Sequence, residues 1–202
     1  MATKTQETIL KVFAAHITEL FTIRGIERIL GMNYSLVHRS IKPLIKNNIL
    51  LQNKQNLLTL NYRHNHDLTT HIEYQRRNEF LNKSKNQEIA VFLQNFIQKF
   101  KEEHFVLLIF GSAVITTNPR DIDVLLIVDN INKTEVSETF LQNTARDHAL
   151  NDKIHTVCIS YESVYEMLSK REERNVMNEL LNKHIIIHGA ELFYRLISRG
   201  RK

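Results

Sequence analysis

FVLLIFGSAVITTNPRDIDVLLIVD, residues Phe105 to Asp129, decides how this 202-residue chain reads. An apolar run ends in Gly111-Ser112, eight residues follow, and Asp121-Ile122-Asp123 opens a second apolar run. Side chains alternate along a strand, so carboxylates at i and i+2 point to one face. Two aspartates held a few ångströms apart repel each other unless positive charge sits between them. Mg²⁺ suits that position, because it takes oxygen ligands, binds one or two carboxylates and leaves positions for water and substrate phosphate. Gly-Ser after a strand lets the backbone approach a bulky anion, and amides opening a following helix bind phosphate. The segment therefore reads as one half for a triphosphate and the other half for its metal.

Gly-Ser, a spacer and Asp-x-Asp between apolar strands resemble the signature of the DNA polymerase beta superfamily of nucleotidyltransferases, in its minimal form. The resemblance implies that Gly111 and Ser112 hold a nucleoside triphosphate. It implies that Asp121 and Asp123 are catalytic and bind Mg²⁺ or Mn²⁺, and Arg120 beside them is expected to steady the same anion. The tail RNVMNELLNKHIIIHGAELFYRLI is similar to the helical end of small archaeal and bacterial members. The family usually adds a third carboxylate from a later strand. The candidate strand, Ile154 to Ser160, contains no acid, so Asp152 and Glu162 on its flanks are the candidates. Minimal enzymes of this type often occur beside a toxin that they modify or block, which makes a toxin a possible partner.

Upstream, residues 5–60 read as three helices and a hairpin. Ile9, Leu10, Val12, Phe13 and Ala14 suit a helix from Thr5 to Ala15. A second helix, Ile23 to Leu30, ends at Gly31, and Asn33 caps a third from Tyr34 to Lys46. Leu50-Leu51 and Leu57 to Leu60 form short strands around a polar turn. This order resembles a winged helix-turn-helix. On the third helix Leu36, Val37, Ile41, Leu44 and Ile45 make an inward stripe, although Pro43 removes one intrahelical hydrogen bond and should kink its second half. Ser35, His38, Arg39 and Lys42 fall on the other side. That face is expected to enter the major groove of double-stranded DNA, with Lys54 on the wing touching phosphate.

Charge supports the same division. Residues 1–62 carry eight Lys/Arg against three Asp/Glu, whereas residues 89–202 carry 14 against 15. The whole chain has a net charge of +5, so the basic excess lies in the first third, where a polyanion is expected to bind. Residues 63–88 are polar and read as a helical linker, with a helix from Asp67 through Leu81. The expected fold class is therefore α+β. A winged helix-turn-helix over 1–62 and the linker over 63–88 lead to a nucleotidyltransferase-like domain over 89–202, a small mixed sheet with flanking helices.

The remaining features bound the reading. Hydrophobic residues make up 43% of the chain, enough for a core, and no run is long enough to span a membrane. MATKTQETIL lacks the basic head and apolar stretch of a signal peptide, so a cytoplasmic location is expected. The single cysteine, Cys158, excludes an internal disulfide framework and reads as a small core residue. His64, His66 and His71 match no standard zinc spacing and read as surface residues. The main expectation is nucleotidyl transfer to an acceptor hydroxyl. The alternative is a DNA-binding regulator or antitoxin whose second domain senses nucleotide without turning it over.

Overall fold

The computed structural model describes residues 2–116, 119–150 and 152–201. The first three helices, α1 (Lys4–Ala15), α2 (Ile23–Leu30) and α3 (Tyr34–Lys46), are each fixed at the N-terminus by a side chain. Thr3 and Gln6 exchange hydrogen bonds in a capping box, Thr22 accepts from the Gly25 amide at 2.9 Å, and Asn33 accepts from the Ser35 amide at 2.8 Å. Gly31 ends α2 with φ of 60°, a left-handed conformation that glycine adopts freely. β1 (Leu50–Gln52) and β2 (Leu58–Leu60) form an antiparallel hairpin, and Phe21 bridges to Leu58 as a short third strand. Ile9, Phe13, Ile26, Val37, Ile41, Leu44 and Leu58 fill the space between these elements. α3 continues through Pro43 to Lys46.

The second half is built on four strands, β3 (Val106–Phe110), β4 (Ile122–Val128), β5 (Ile154–Ser160) and β6 (His184–His188), in the order β5-β4-β3-β6. β3 pairs antiparallel with β4 and β6, and β4 pairs parallel with β5. The sheet is mixed and the chain is α+β. β3 and β4 are almost continuously apolar because both faces are covered. Leu107, Ile109, Val124, Leu126 and Val128 share one core with α5 (Gln87–Lys99) and α7 (Thr134–Asp147). Val106, Leu108, Leu125 and Ile127 pack with α8 (Tyr161–Ser169), α9 (Val176–Leu180) and α10 (Ala190–Gly200). That second core runs on without a break into the three-helix unit. Among the described residues no helix is long and apolar enough to cross a membrane.

α4 (His66–Leu81) joins the two halves and is more deeply buried than its polar sequence suggests. It packs on α1, α10 and β6. Glu73 is only 1% exposed and accepts two hydrogen bonds from Arg76, at 2.6 and 2.8 Å, and one from the Tyr194 hydroxyl at 2.9 Å. Arg76 also donates to the His184 carbonyl at 2.6 Å, and Arg77 donates to that of Ile187 at 3.1 Å, so α4 occupies part of the edge strand β6. The His184 Nδ1 lies 2.7 Å from the Leu180 carbonyl, which only accepts, so that nitrogen carries the proton. Its Nε2 faces Glu73 at 3.5 Å. Burial pushes the Glu73 carboxyl up, but Arg76 beside it, with His184 and Tyr194, holds it below its ordinary value of 4.5.

Candidate functional site

β3 ends at Phe110, and the chain turns at Gly111 with φ of 72° and ψ of −143°, a conformation that side-chain-bearing residues rarely adopt. A Cβ on Gly111 would stand 2.7 Å from the Asp123 Oδ2. Glycine is therefore needed twice over, for the backbone angle and for the carboxylate seated against it. The Gly111 amide donates to the Lys183 carbonyl at 3.3 Å, which fixes the turn to the chain leading into β6. Ser112 opens α6 (Ser112–Ile115), a single turn too short for a substantial helix dipole. Any anion here would depend on close backbone approach and on side-chain cations.

Asp123 lies opposite Phe110 in the antiparallel register and opposite His155 in the parallel register. Its Oδ1 is 3.9 Å from the His155 Nδ1. Partial burial pushes its carboxyl above the ordinary 3.8, the nearby His155 pulls it down, and the charge of Asp121 pushes it up again. Asp121 sits one residue ahead of β4, where the Ile122 amide donates to the Lys153 carbonyl at 2.8 Å. Arg120 is exposed beside it. Residues 117 and 118 of the spacer lie outside the described residues.

A cleft of about 460 Å³ opens at this end of the sheet. Gly111, Ser112, Thr116 and Asp123 line it from one stretch of the chain, and Arg174, Glu179 and Lys183 line it from a later stretch, its second wall. Asp121 and Arg120 stand outside this lining. Arg174, Glu179 and Lys183 fall in the tail whose resemblance implies a helical end, but the sequence singles out no residue there, because the charge in REERNVMNELLNK reads equally well as a solvated surface.

The donors suit a hard divalent cation, since the carboxylates of Asp121 and Asp123 come two residues apart at the entry to β4 and are close enough for their charges to interact. Among the described residues no three His, Cys, Asp or Glu side chains converge as a preformed metal site. Water and phosphate would supply the remaining ligands.

The expected third carboxylate is resolved in part. Because β4 and β5 run parallel, Ile154 lies beside Ile122 and Ser160 beside Val128. Glu162 follows Ser160, so it stands at the far end of the sheet, beyond a span of about 17 Å from His155 to Ser160. Glu162 therefore cannot complete the pair. Asp152 lies at the near end, ahead of Ile154.

Other sequence candidates are dispersed. Burial, with Glu138 nearby, pushes the Cys158 thiol up to about 12, so it holds no thiolate at neutral pH. His71 faces Glu7 at 3.6 Å and does not converge with His64 and His66 on a metal site. On α3, Ser35, Arg39 and Lys42 are exposed, His38 stacks on Tyr34 with centroids 5.7 Å apart, and Lys54 is exposed in the hairpin turn. Comparison with family models, curated proteins and solved structures returned no match.

Proposed function

We propose that the chain is a metal-dependent nucleotidyltransferase joined to a DNA-binding winged helix. The observation that carries this reading is one cleft lined by the Gly111-Ser112 turn and Asp123 together with the cations Arg174 and Lys183. The missing Gly111 side chain seats the Asp123 carboxylate against the turn, where a metal it held would draw a phosphate, and the Ser112 hydroxyl offers a donor there. Lys183 supplies a flexible point charge. Asp121 and Asp123 would hold Mg²⁺ or Mn²⁺, which when bound neutralises phosphate charge and acidifies an attacking hydroxyl. The acceptor oxygen bonds to the α-phosphorus as the bond to pyrophosphate breaks. His155, 3.9 Å from Asp123, would be the candidate to take the acceptor's proton. Incubating the full chain with α-labelled nucleoside triphosphates, Mg²⁺ or Mn²⁺ and a host lysate tests this. Covalent label on a protein or RNA, dependent on Asp123, is the expected result. Binding without transfer for all four nucleotides and both metals would overturn the enzyme.

The DNA-binding half rests on the helix order, the hairpin and the exposed basic face of α3. Arg39→Ala, Lys42→Ala and Lys54→Ala together should weaken DNA binding and flatten its salt dependence, because each lost phosphate contact removes about one unit from the slope. Gel shifts at two salt concentrations measure this. A triple variant with wild-type affinity and slope would show that the basic excess serves only solubility.

One observation favours a second reading, a nucleotide sensor that regulates DNA binding. The turn after α1 is bonded to the cleft's second wall. The Ile17 amide donates to the Leu181 carbonyl at 3.0 Å, and the Thr18 amide donates to the Asn182 side chain at 3.0 Å. Leu181 and Asn182 lie between Glu179 and Lys183, which line the cleft. A ligand that shifts this short segment would bear directly on the three-helix unit, provided it binds the two arrangements unequally. Triphosphate that changes DNA affinity without ever being consumed would select this reading.

A further inference from the structure

The second wall of the cleft contains an ion pair that the proposed reaction does not use. The Arg174 Nε lies 2.7 Å from the Glu179 Oε1, and both residues line the cleft together with Gly111 and Ser112. The pair is open to solvent, with the Arg174 side chain 91% exposed. Exposed pairs of this kind shift an equilibrium by only about two- to fivefold. A guanidinium binds phosphate oxygens through two parallel hydrogen bonds, a geometry one carboxylate contact does not fill. Lys183 lines the same cleft, and its carbonyl accepts from the Gly111 amide.

We propose that Arg174 and Glu179 form a displaceable clasp: a polyphosphate in the cleft takes Arg174 from Glu179 and pairs it, with Lys183, to its own oxygens. Glu179 is then an internal competitor for the cation. It occupies Arg174 when the cleft is empty and raises the charge a ligand needs to bind. Monophosphates compete poorly, and triphosphates compete well. Selection for the triphosphate arises from this wall and is separable from the metal held by Asp121 and Asp123. The inference rests on the reading of the cleft as a phosphate site. It does not depend on nucleotidyl transfer.

Titration calorimetry of the full chain with inorganic tripolyphosphate and with inorganic phosphate, in a chelator and without metal, tests the clasp. Wild type should favour tripolyphosphate. Glu179→Gln should tighten tripolyphosphate about two- to fivefold, the size of the competing pair. Arg174→Ala and Lys183→Ala should each weaken it about tenfold, as expected for a lost charge-assisted contact. In the Arg174→Ala background Glu179→Gln should lose most of its effect, because no guanidinium remains to be freed. Weakened or unchanged binding in Glu179→Gln would overturn the proposal. An effect of Glu179→Gln that is equal with and without Arg174 would also overturn it, by reducing Glu179 to a bystander charge. The transfer assay bears on a different claim, since its failure with normal tripolyphosphate binding would remove the enzyme and leave the clasp. The three side chains are exposed, so folding is not at risk, and thermal melts of each variant verify it.

Discussion

Arg76→Ala is expected to destabilise the protein by about 3–5 kcal/mol, the usual cost of removing one partner from a buried ion pair. Glu73 would be left at 1% exposure with only Tyr194 and His184 facing it. For a chain of this size that corresponds to a fall in Tm of roughly 10 °C. Urea or thermal unfolding measures it directly. Glu73→Gln in the Arg76→Ala background should recover part of the loss, since a neutral amide costs less to bury than an unpaired carboxylate. The same cluster sets an acid limit. The folded carboxyl of Glu73 is held below its ordinary 4.5, so the unfolded chain takes up the proton first as pH falls. Its contribution is therefore complete above about pH 4.5 and is lost as pH drops through the lower folded value. Steeper acid unfolding in wild type than in a Glu73→Gln, Arg76→Ala double variant is the expected signature.

Asp123→Asn should have the opposite effect on stability and a large effect on turnover. Its folded carboxyl is raised, by burial first and by Asp121, with His155 opposing. The native state therefore holds the proton more tightly than the unfolded chain. Ionisation at neutral pH costs stability, and the cost is relieved only as pH falls through the raised value. The amide removes that cost, so Tm should rise slightly, by about 1–2 °C for a group this exposed. Nucleotidyl transfer should fall by about two orders of magnitude or more, because a metal's neutralisation of phosphate charge is worth several kcal/mol. A variant that melts higher yet transfers nothing is explained by chemistry and not by unfolding. A variant that melts lower would show that Asp123 is a structural residue.

The parts legible in the sequence are those with local causes. Gly111 could be read because a strand ending in Gly-Ser needs a backbone angle that glycine supplies. Val37, Ile41 and Leu44 lie on one face of α3 by helical spacing alone, and they are buried. What escaped depends on register and packing. The pairing of Asp123 with His155 follows from the parallel crossover through α7, which no local pattern states. The same crossover direction puts Glu162 at the wrong end, although its distance along the chain from Ile154 to Ser160 is no more unusual than that of Asp152. Residues 63–88 read only as a polar helical linker, and it is the packing of α10 and β6 against α4 that buries Glu73 and Arg76. Nothing in the sequence joins Arg174, Glu179 and Lys183 to the Gly111 turn, which the Lys183 carbonyl meets through the Gly111 amide.

The cleft at Gly111 and Asp123 is tested most directly by calorimetry with ATP, CTP, GTP and UTP in Mg²⁺, on wild type and on the Asp121→Asn, Asp123→Asn double variant. Wild type should bind at least one triphosphate more tightly with Mg²⁺ than without it. The double variant should remain folded and lose that Mg²⁺-dependent gain. Equal Mg²⁺-dependent binding by both proteins would contradict the assignment of the metal to this aspartate pair.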